Sequence, residues 1–153
     1  MDIAALVAWV LTAGGGFVML GRWVAAGGLR QQQDGATRFP AALVFGHVAL
    51  AAGGLVLWIV YLALHADSLA WVAFGLLVLV ALLGFTLFAR WLPSRQAVEV
   101  RAGGSRPRSD AGTGGVQAAP AEGHLPVPVI AAHGVFAVAT LVLVLLTALQ
   151  ASS

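Results

Sequence analysis

Cysteine and lysine are missing from this chain, and charged residues of any kind are scarce. Without cysteine there are no disulfides, thiolate metal sites, iron–sulfur clusters or C-x-x-C-H attachments of c-type haem. Only 9% of the residues are charged, against about 25% in a typical soluble domain. Because 60% of the 153 residues are hydrophobic, the composition is that of an integral membrane protein.

Four apolar segments are long enough to cross a bilayer, at about 3–26, 40–64, 69–91 and 126–149. At 1.5 Å per residue, each can span a hydrocarbon core of roughly 30 Å. The chain starts without the basic segment of a cleaved signal peptide, so we expect the first span to be retained. We therefore predict an all-α fold, an integral membrane four-helix up-down bundle that forms one transmembrane domain over 1–153.

The basic residues indicate how this bundle is oriented. All eight are arginines, a usage typical of GC-rich bacterial genomes, and they lie in or beside the first and third connections: Arg22, Arg30, Arg38, Arg90, Arg95, Arg101, Arg106 and Arg108. The positive-inside rule makes both connections cytoplasmic and both termini external, in a bacterial inner membrane. Since the membrane explains the arginines, the pI near 10.5 does not indicate nucleic-acid binding.

The third connection, 95–124, is rich in small and polar residues and is predicted to be a flexible cytoplasmic linker. All six acidic residues lie at span ends or in connections, so no carboxylate pair is expected inside the membrane for acid–base chemistry or ion-coupled transport. The tryptophans at the span ends, together with Tyr61, are expected to form aromatic belts, with Trp23 and Trp91 inside and Trp9 and Trp71 outside.

The chain also contains an internal repeat. Glycine, phenylalanine, arginine and tryptophan recur at identical spacing in 16–23 and 84–91, and a histidine follows a proline by seven residues at His47 and at His133. These matches predict that the bundle is a tandem repeat of two helical hairpins. Both hairpins start on the same side of the membrane, so the repeat is parallel.

His47 and His133 lie at one depth, about 10 Å inside their spans. Two imidazoles in hydrocarbon are costly unless something binds them. In an up-down bundle their helices lie on a diagonal with axes about 14 Å apart, a gap that suits an imidazole–iron–imidazole bridge. Gly16 and Gly84 lie at the same depth on the other two helices, where they leave room for the edges of a porphyrin.

Further small residues are expected to clear the faces of such a porphyrin, and two arginines are placed to pair with its propionates. The small residues lie beside the histidines or one and two turns beyond them: Gly46, Ala51, Gly54, Gly134, Ala137 and Thr140. Arg22 and Arg90 lie at the predicted cytoplasmic rim, where guanidinium groups can bind carboxylates.

This pattern resembles the bis-histidine b-type cytochromes of membranes, including the cytochrome b561-like four-helix group. The resemblance implies one haem b, with His47 and His133 as the axial ligands of its iron. Proteins of the b561-like group usually carry two haems, one near each face, whereas the outer side of this chain offers only His65. A single inner haem implies a subunit that relays electrons between a cytoplasmic partner, quinone and other membrane redox subunits.

Other interpretations of the histidine pair remain open. Each histidine can donate a hydrogen bond to a neighbouring helix, or the pair can handle quinone, protons or a metal ion. Zinc is disfavoured because it prefers three or four protein ligands. His65 is expected to be interfacial and His124 solvent-exposed. The alternative function is therefore a cofactor-free accessory or scaffold subunit of a larger membrane complex, for example a respiratory one.

Overall fold

The computed structural model describes residues 1–103 and 120–151, and within these ranges it contains helices and no strands. In chain order the helices are α1 (Asp2–Ala25), α2 (Gly28–Gln33), α3 (Ala41–Leu64), α4 (Asp67–Gly103), a 3-10 helix (Ala121–His124) and α5 (Val127–Ala151). Four of them, α1, α3, α4 over Asp67–Gln96, and α5, are long and apolar enough to cross a membrane. The prediction of an all-helical chain with four potential spans is confirmed.

The connections differ in length and in how they end the helices. Gly27, with φ +82°, turns the chain from α1 into α2. Pro40 precedes α3, where a missing N–H costs nothing. His65 ends α3 in the left-handed region, with φ +50°, and its N–H donates to the Tyr61 carbonyl oxygen at 2.7 Å. A two-residue link then leads into α4, so α3 and α4 form a tight hairpin.

The predicted linker at 95–124 overlaps structured segments at both ends. The third span was expected to end at residue 91, yet α4 continues through Pro93 to Gly103. Residues 121–124 form the 3-10 helix, which begins after Pro120. The central part, 104–119, with Arg106 and Arg108, lies outside the described residues.

The long helices pack as a four-membered ring. α1 packs mainly against α5 and α3 mainly against α4, while lesser contacts join α4 to α5 and α1 to α3. Consequently α3 and α5 face each other across one diagonal and α1 and α4 across the other. We call the end of the bundle with Arg22, Arg38 and Arg90 the arginine end, and the opposite end, with His65, the Asp2 end.

Two buried clusters fill the interior. The Asp2-end cluster consists of Ala5, Trp9, Trp58, Tyr61, Ala70, Ala73, Leu77, Val144 and Ala148. The arginine-end cluster consists of Trp23, Phe39, Val44, Trp91, Ala121 and Leu125. Four residues assigned to aromatic belts therefore lie in the core, and that interpretation is wrong for Trp9, Trp23, Tyr61 and Trp91. Trp71 alone among the five is exposed, at 40%.

Large apolar side chains cover the outside of the bundle. Phe17 and Phe85, the repeated phenylalanines, are 63% and 70% exposed. Such a surface is suited to lipid, because acyl chains rather than water can surround it. Of the four residues repeated in 16–23 and 84–91, the glycines and tryptophans thus contribute to the interior, and the phenylalanines and arginines are exposed.

Candidate functional site

His47 and His133 meet between the two buried clusters. His47 comes from α3 and His133 from α5, the helices that face each other across a diagonal. Their ring centroids are 6.4 Å apart, and the ring planes are inclined by 56°. The two imidazoles, predicted from the sequence to share one depth, are therefore neighbours. With Gly15, Gly16 and Gly84 they form what we call the histidine layer.

Each imidazole is anchored to the backbone of an adjacent helix. His47 Nδ1 donates to the Val80 carbonyl oxygen of α4 at 3.1 Å, and His133 Nδ1 donates to the Thr12 carbonyl oxygen of α1 at 2.8 Å. Because both carbonyls belong to helices, these are additional bonds made by oxygens that already accept within the backbone. The anchors fix the rotation of both rings.

These bonds also determine which nitrogen of each ring remains available. A carbonyl oxygen can only accept, so the hydrogen must reside on Nδ1. In a neutral imidazole, Nε2 then carries an unshared electron pair. The layer therefore presents two Nε2 lone pairs, each of which can accept a hydrogen bond or bind a metal.

Glycines on the other diagonal lie directly against the imidazoles. A Cβ at Gly84 would lie 3.1 Å from His47 Cε1, and a Cβ at Gly16 would lie 3.3 Å from His133 Cε1. A Cβ at Gly15 would approach the Cβ of His133 to 3.5 Å. Gly16 and Gly84, chosen from the sequence for their depth, thus provide the space that the imidazole rings occupy.

The contacts of the two histidines are equivalent in the predicted repeat. Thr12 precedes Gly16 by four residues, and Val80 precedes Gly84 by four. Each ring therefore bonds to one carbonyl and lies against the glycine one turn later. In the predicted repeat, α1 and α3 form the first hairpin and α4 and α5 the second. Each histidine bonds to a helix of the other hairpin, His47 on α3 to α4 and His133 on α5 to α1.

Several other predicted residues lie elsewhere. Gly54 accommodates Trp9, since a Cβ there would lie 2.9 Å from Trp9 Cζ2. Thr140 is buried and donates to the Phe136 carbonyl oxygen at 2.7 Å. These two residues therefore pack within the protein instead of clearing a porphyrin. Cβ atoms at Gly46 and Gly134 would meet nothing within 4 Å, so these glycines relieve no crowding. Ala51 and Ala137, one turn beyond the histidines, are half-buried.

The two arginines expected at the rim are exposed. Arg90 Nη1 donates to the Arg38 carbonyl oxygen at 3.0 Å, which ties α4 to the segment before α3. No contact joins Arg22 or Arg90 to the histidine layer among the described interactions. Their proximity to a cofactor therefore stays a prediction.

A buried carboxylate at the arginine end was missed by the sequence analysis. Glu122 is 0% exposed, and it accepts hydrogen bonds from Thr37 Oγ1 at 2.6 Å, Arg38 N at 2.7 Å and Ser94 Oγ at 3.1 Å. It thereby joins the 3-10 helix to α4 and to the segment before α3. Its position in a stretch of small residues gave no sign of this burial.

The arginine-end cluster contains two polar atoms whose bonding is incomplete. The indole Nε1 atoms of Trp23 and Trp91 are buried and have no hydrogen-bond acceptor among the described residues. Trp23 and Trp91 are only 2% and 5% exposed. Buried N–H groups nearly always have partners, so these two atoms require an explanation.

The donor set of the histidine layer fits a haem better than a metal held by protein ligands alone. The ring centroids of His47 and His133 are 6.4 Å apart, so the two side chains are close enough to serve one metal ion together. The described residues offer no group of three His, Cys, Asp or Glu side chains that could hold a metal ion. Two axial imidazoles are sufficient only for a metal that brings its own equatorial ligands, as haem iron does.

Comparisons with known proteins yield no relative for this chain. No protein-family model, no curated protein and no solved structure matches it. The interpretation of the site therefore rests on its own residues and geometry.

Proposed function

We propose that the protein is a membrane b-type cytochrome or cytochrome-like electron-transfer subunit that binds one haem b in the histidine layer. His47 and His133 would hold the haem iron as its axial ligands. The observation that carries the proposal is the pairing of two Nδ1-anchored imidazoles from diagonal helices, 6.4 Å apart, each with Nε2 unprotonated in its neutral form.

The residues around the histidines have distinct roles in this proposal. The carbonyls of Val80 and Thr12 orient the imidazoles and increase the basicity of Nε2, as the outer hydrogen-bond partners of metal-bound histidines do. Gly16 and Gly84 keep α1 and α4 close to the rings. When bound, the haem supplies reversible one-electron transfer.

The Asp2 half of the bundle offers only His65, so a second histidine pair for another haem is lacking there. Trp9, Trp58 and Tyr61 fill that half with rings whose centroids lie 4.9 to 6.5 Å apart along the series. A single haem near the arginine end cannot carry electrons across the whole membrane by itself. The protein therefore acts as a relay among a partner at the arginine end, quinone and other membrane redox subunits.

The proposal includes an origin and an orientation for the chain. The equivalent contacts of His47 and His133 support a tandem duplication of one helical hairpin. The arginines at one end favour a bacterial inner membrane with that end in the cytoplasm and both termini outside.

A cofactor-free scaffold subunit is the second candidate, and one observation favours it. The Nδ1 bonds cross-link α3 to α4 and α5 to α1, which is what a purely structural histidine pair would do. Such bonds use only one nitrogen of each ring, however, and they leave the Nε2 lone pairs without a role.

Spectroscopy of the purified full-length protein separates the two candidates. The protein is produced with ample haem, and reduced-minus-oxidised spectra are recorded for the wild type, His47→Ala and His133→Ala. His65→Asn is the matched control, because His65 is exposed at the Asp2 end and asparagine tolerates its left-handed backbone. We expect a low-spin haem spectrum that either layer substitution abolishes and that the control leaves intact.

A folded wild-type protein that stays colourless under these conditions would exclude the cytochrome function and leave the scaffold. A low-spin spectrum that survives both layer substitutions would assign the haem to other ligands. Circular dichroism of each variant shows that loss of the spectrum is not loss of the fold.

A further inference from the structure

Trp23 and Trp91 form a second matched pair of inward-facing residues. Each lies seven residues after the glycine that contacts a histidine, Gly16 on α1 and Gly84 on α4. Seven residues complete nearly two helical turns, so each tryptophan shares a helix face with its glycine and lies about 10.5 Å closer to the arginine end. The two indoles thus lie beneath the histidine layer on the two diagonal helices that flank it.

The residues between the histidine layer and the two indoles pack in one continuous interior. Val44 and Ile130, three residues before His47 and His133, pack in or against the arginine-end cluster together with both tryptophans. Partly buried Met19, Leu20 and Leu87 also pack against this cluster. A continuous, mostly apolar column therefore leads from the imidazoles to the indoles.

Neither indole N–H group has an acceptor within residues 1–103 and 120–151. Gly28 lies against the pyrrole part of the Trp23 ring, since a Cβ there would approach Cε2 to 2.2 Å and Nε1 to 2.5 Å. This close contact holds Trp23 in place but offers it no acceptor. Two buried donors at one level on opposite helices would suit a ligand with two acceptor groups.

We propose that the indole N–H groups of Trp23 and Trp91 donate hydrogen bonds to the two propionate carboxylates of the haem. This inference rests on the proposed function. A haem held by His47 and His133 would lie between α1 and α4. With the edge that carries both propionates toward the arginine end, Trp23 and Trp91 would each be placed to bind one carboxylate.

The chemistry of the indoles suits this role. A carboxylate inside an apolar cluster needs hydrogen-bond donors to offset the loss of water, and N–H groups bound to an ionised acceptor form the stronger class of hydrogen bond. The pairing also satisfies two donors that would otherwise be buried alone. Trp23 and Trp91 therefore take the positions that the sequence had suggested for Arg22 and Arg90, whose side chains are exposed.

The test compares haem b with haem b dimethyl ester, in which both carboxylates are blocked. Each is added to the full-length apoprotein, and its transfer to excess apomyoglobin is timed for the wild type, Trp23→Phe/Trp91→Phe and Trp58→Phe. Trp58 is the matched control, because its buried indole N–H already donates to the Asp2 carbonyl oxygen at 3.3 Å. The wild type should release the ester at least about tenfold faster than haem b. A tenfold difference corresponds to about 1.4 kcal/mol, near the lower end of the free energies expected for hydrogen bonds to a charged group.

In the double variant Trp23→Phe/Trp91→Phe, the ratio of the release rate of the ester to that of haem b should fall toward one. Trp58→Phe should keep the wild-type ratio. Equal release of the two haems by the wild type would overturn the inference without requiring any variant to fold. An unchanged ratio in a folded double variant would overturn it as well, while the histidine-dependent spectrum would still support the proposed function. If neither haem gives a spectrum that depends on His47 and His133, the proposed function fails and the inference fails with it.

Discussion

Substitution of Gly84 by alanine tests whether the glycines of the histidine layer are there to accommodate the imidazoles. The new Cβ would lie 3.1 Å from His47 Cε1 and 3.6 Å from Nδ1, and the first of these distances is closer than nine in ten real Cβ contacts. The ring would have to shift by a few tenths of an ångström. It is not free to do so, because Nδ1 is bonded to the Val80 carbonyl oxygen one turn earlier on the same helix.

Three terms determine the size of the effect. Alanine in place of a helical glycine favours the folded state by about 1 kcal/mol. Crowding in a packed interior costs about 1–3 kcal/mol, and a weakened hydrogen bond costs about 0.5–1.5 kcal/mol. We therefore expect Gly84→Ala to destabilise the protein by roughly 0.5–3.5 kcal/mol net of the gain in helix propensity.

Gly75 provides the control on the same helix, because a Cβ there would meet nothing within 4 Å. Gly75→Ala should be neutral or stabilising by up to about 1 kcal/mol. Equilibrium unfolding of both variants in detergent, followed by circular dichroism, measures the difference. The reasoning is refuted if Gly84→Ala is as stable as Gly75→Ala, since the contact with His47 would then have no energetic consequence.

Substitutions at three further positions test the surroundings of the site by the same unfolding measurement. Glu122→Ala removes the acceptor of the Thr37 hydroxyl, the Arg38 N–H and the Ser94 hydroxyl and should cost about 3–5 kcal/mol, whereas Glu122→Gln keeps one acceptor oxygen and should cost less; equal losses would contradict the proposed bonding. Gly28→Ala should displace the Trp23 ring at a cost of about 3 kcal/mol, and a wild-type stability would show that the ring can move freely. Gly54→Ala crowds Trp9 and should cost about 1–3 kcal/mol without altering a haem spectrum; a changed spectrum would show that the Asp2-end cluster is coupled to the histidine layer.

Hydropathy was sufficient to predict the four long helices, but it could not show which face of each helix points into the core. Four long apolar segments require four helices, because a backbone in lipid must satisfy its own hydrogen bonds. Almost every residue of these segments is apolar, so hydrophobicity does not distinguish the core face from the lipid face. Trp23 and Trp91 were therefore assigned to the lipid boundary on residue type alone, although both point into the core.

The histidine layer could be predicted because polar residues in apolar helices are rare and their depth can be counted. His47, His133, Gly16 and Gly84 came together through arithmetic on helix rise and on the diagonal of a bundle. Glu122 could not be found in this way. Its burial depends on tertiary contacts with segments distant in the sequence, and nothing in its own neighbourhood encodes them.

The distribution of identities within the predicted repeat bears on whether the histidine layer binds a ligand or only packs. In the Asp2-end cluster, Trp9 corresponds to Leu77 and Trp58 to Val144, so large residues of the first hairpin pack with smaller residues of the second. A duplicated core thus had no need to keep equal partners in order to fill space.

In the arginine half, three of the inward-facing pairs are identical, histidine with histidine, glycine with glycine and tryptophan with tryptophan, whereas Phe39 corresponds to Leu125 and Val44 to Ile130. Packing alone tolerates complementary pairs as well as equal ones, and the Asp2-end cluster demonstrates this within the same bundle. Equal pairs suit a ligand that both hairpins contact with the same groups. The proposed haem would be such a ligand, because its iron has two equivalent axial positions and its porphyrin carries two propionates.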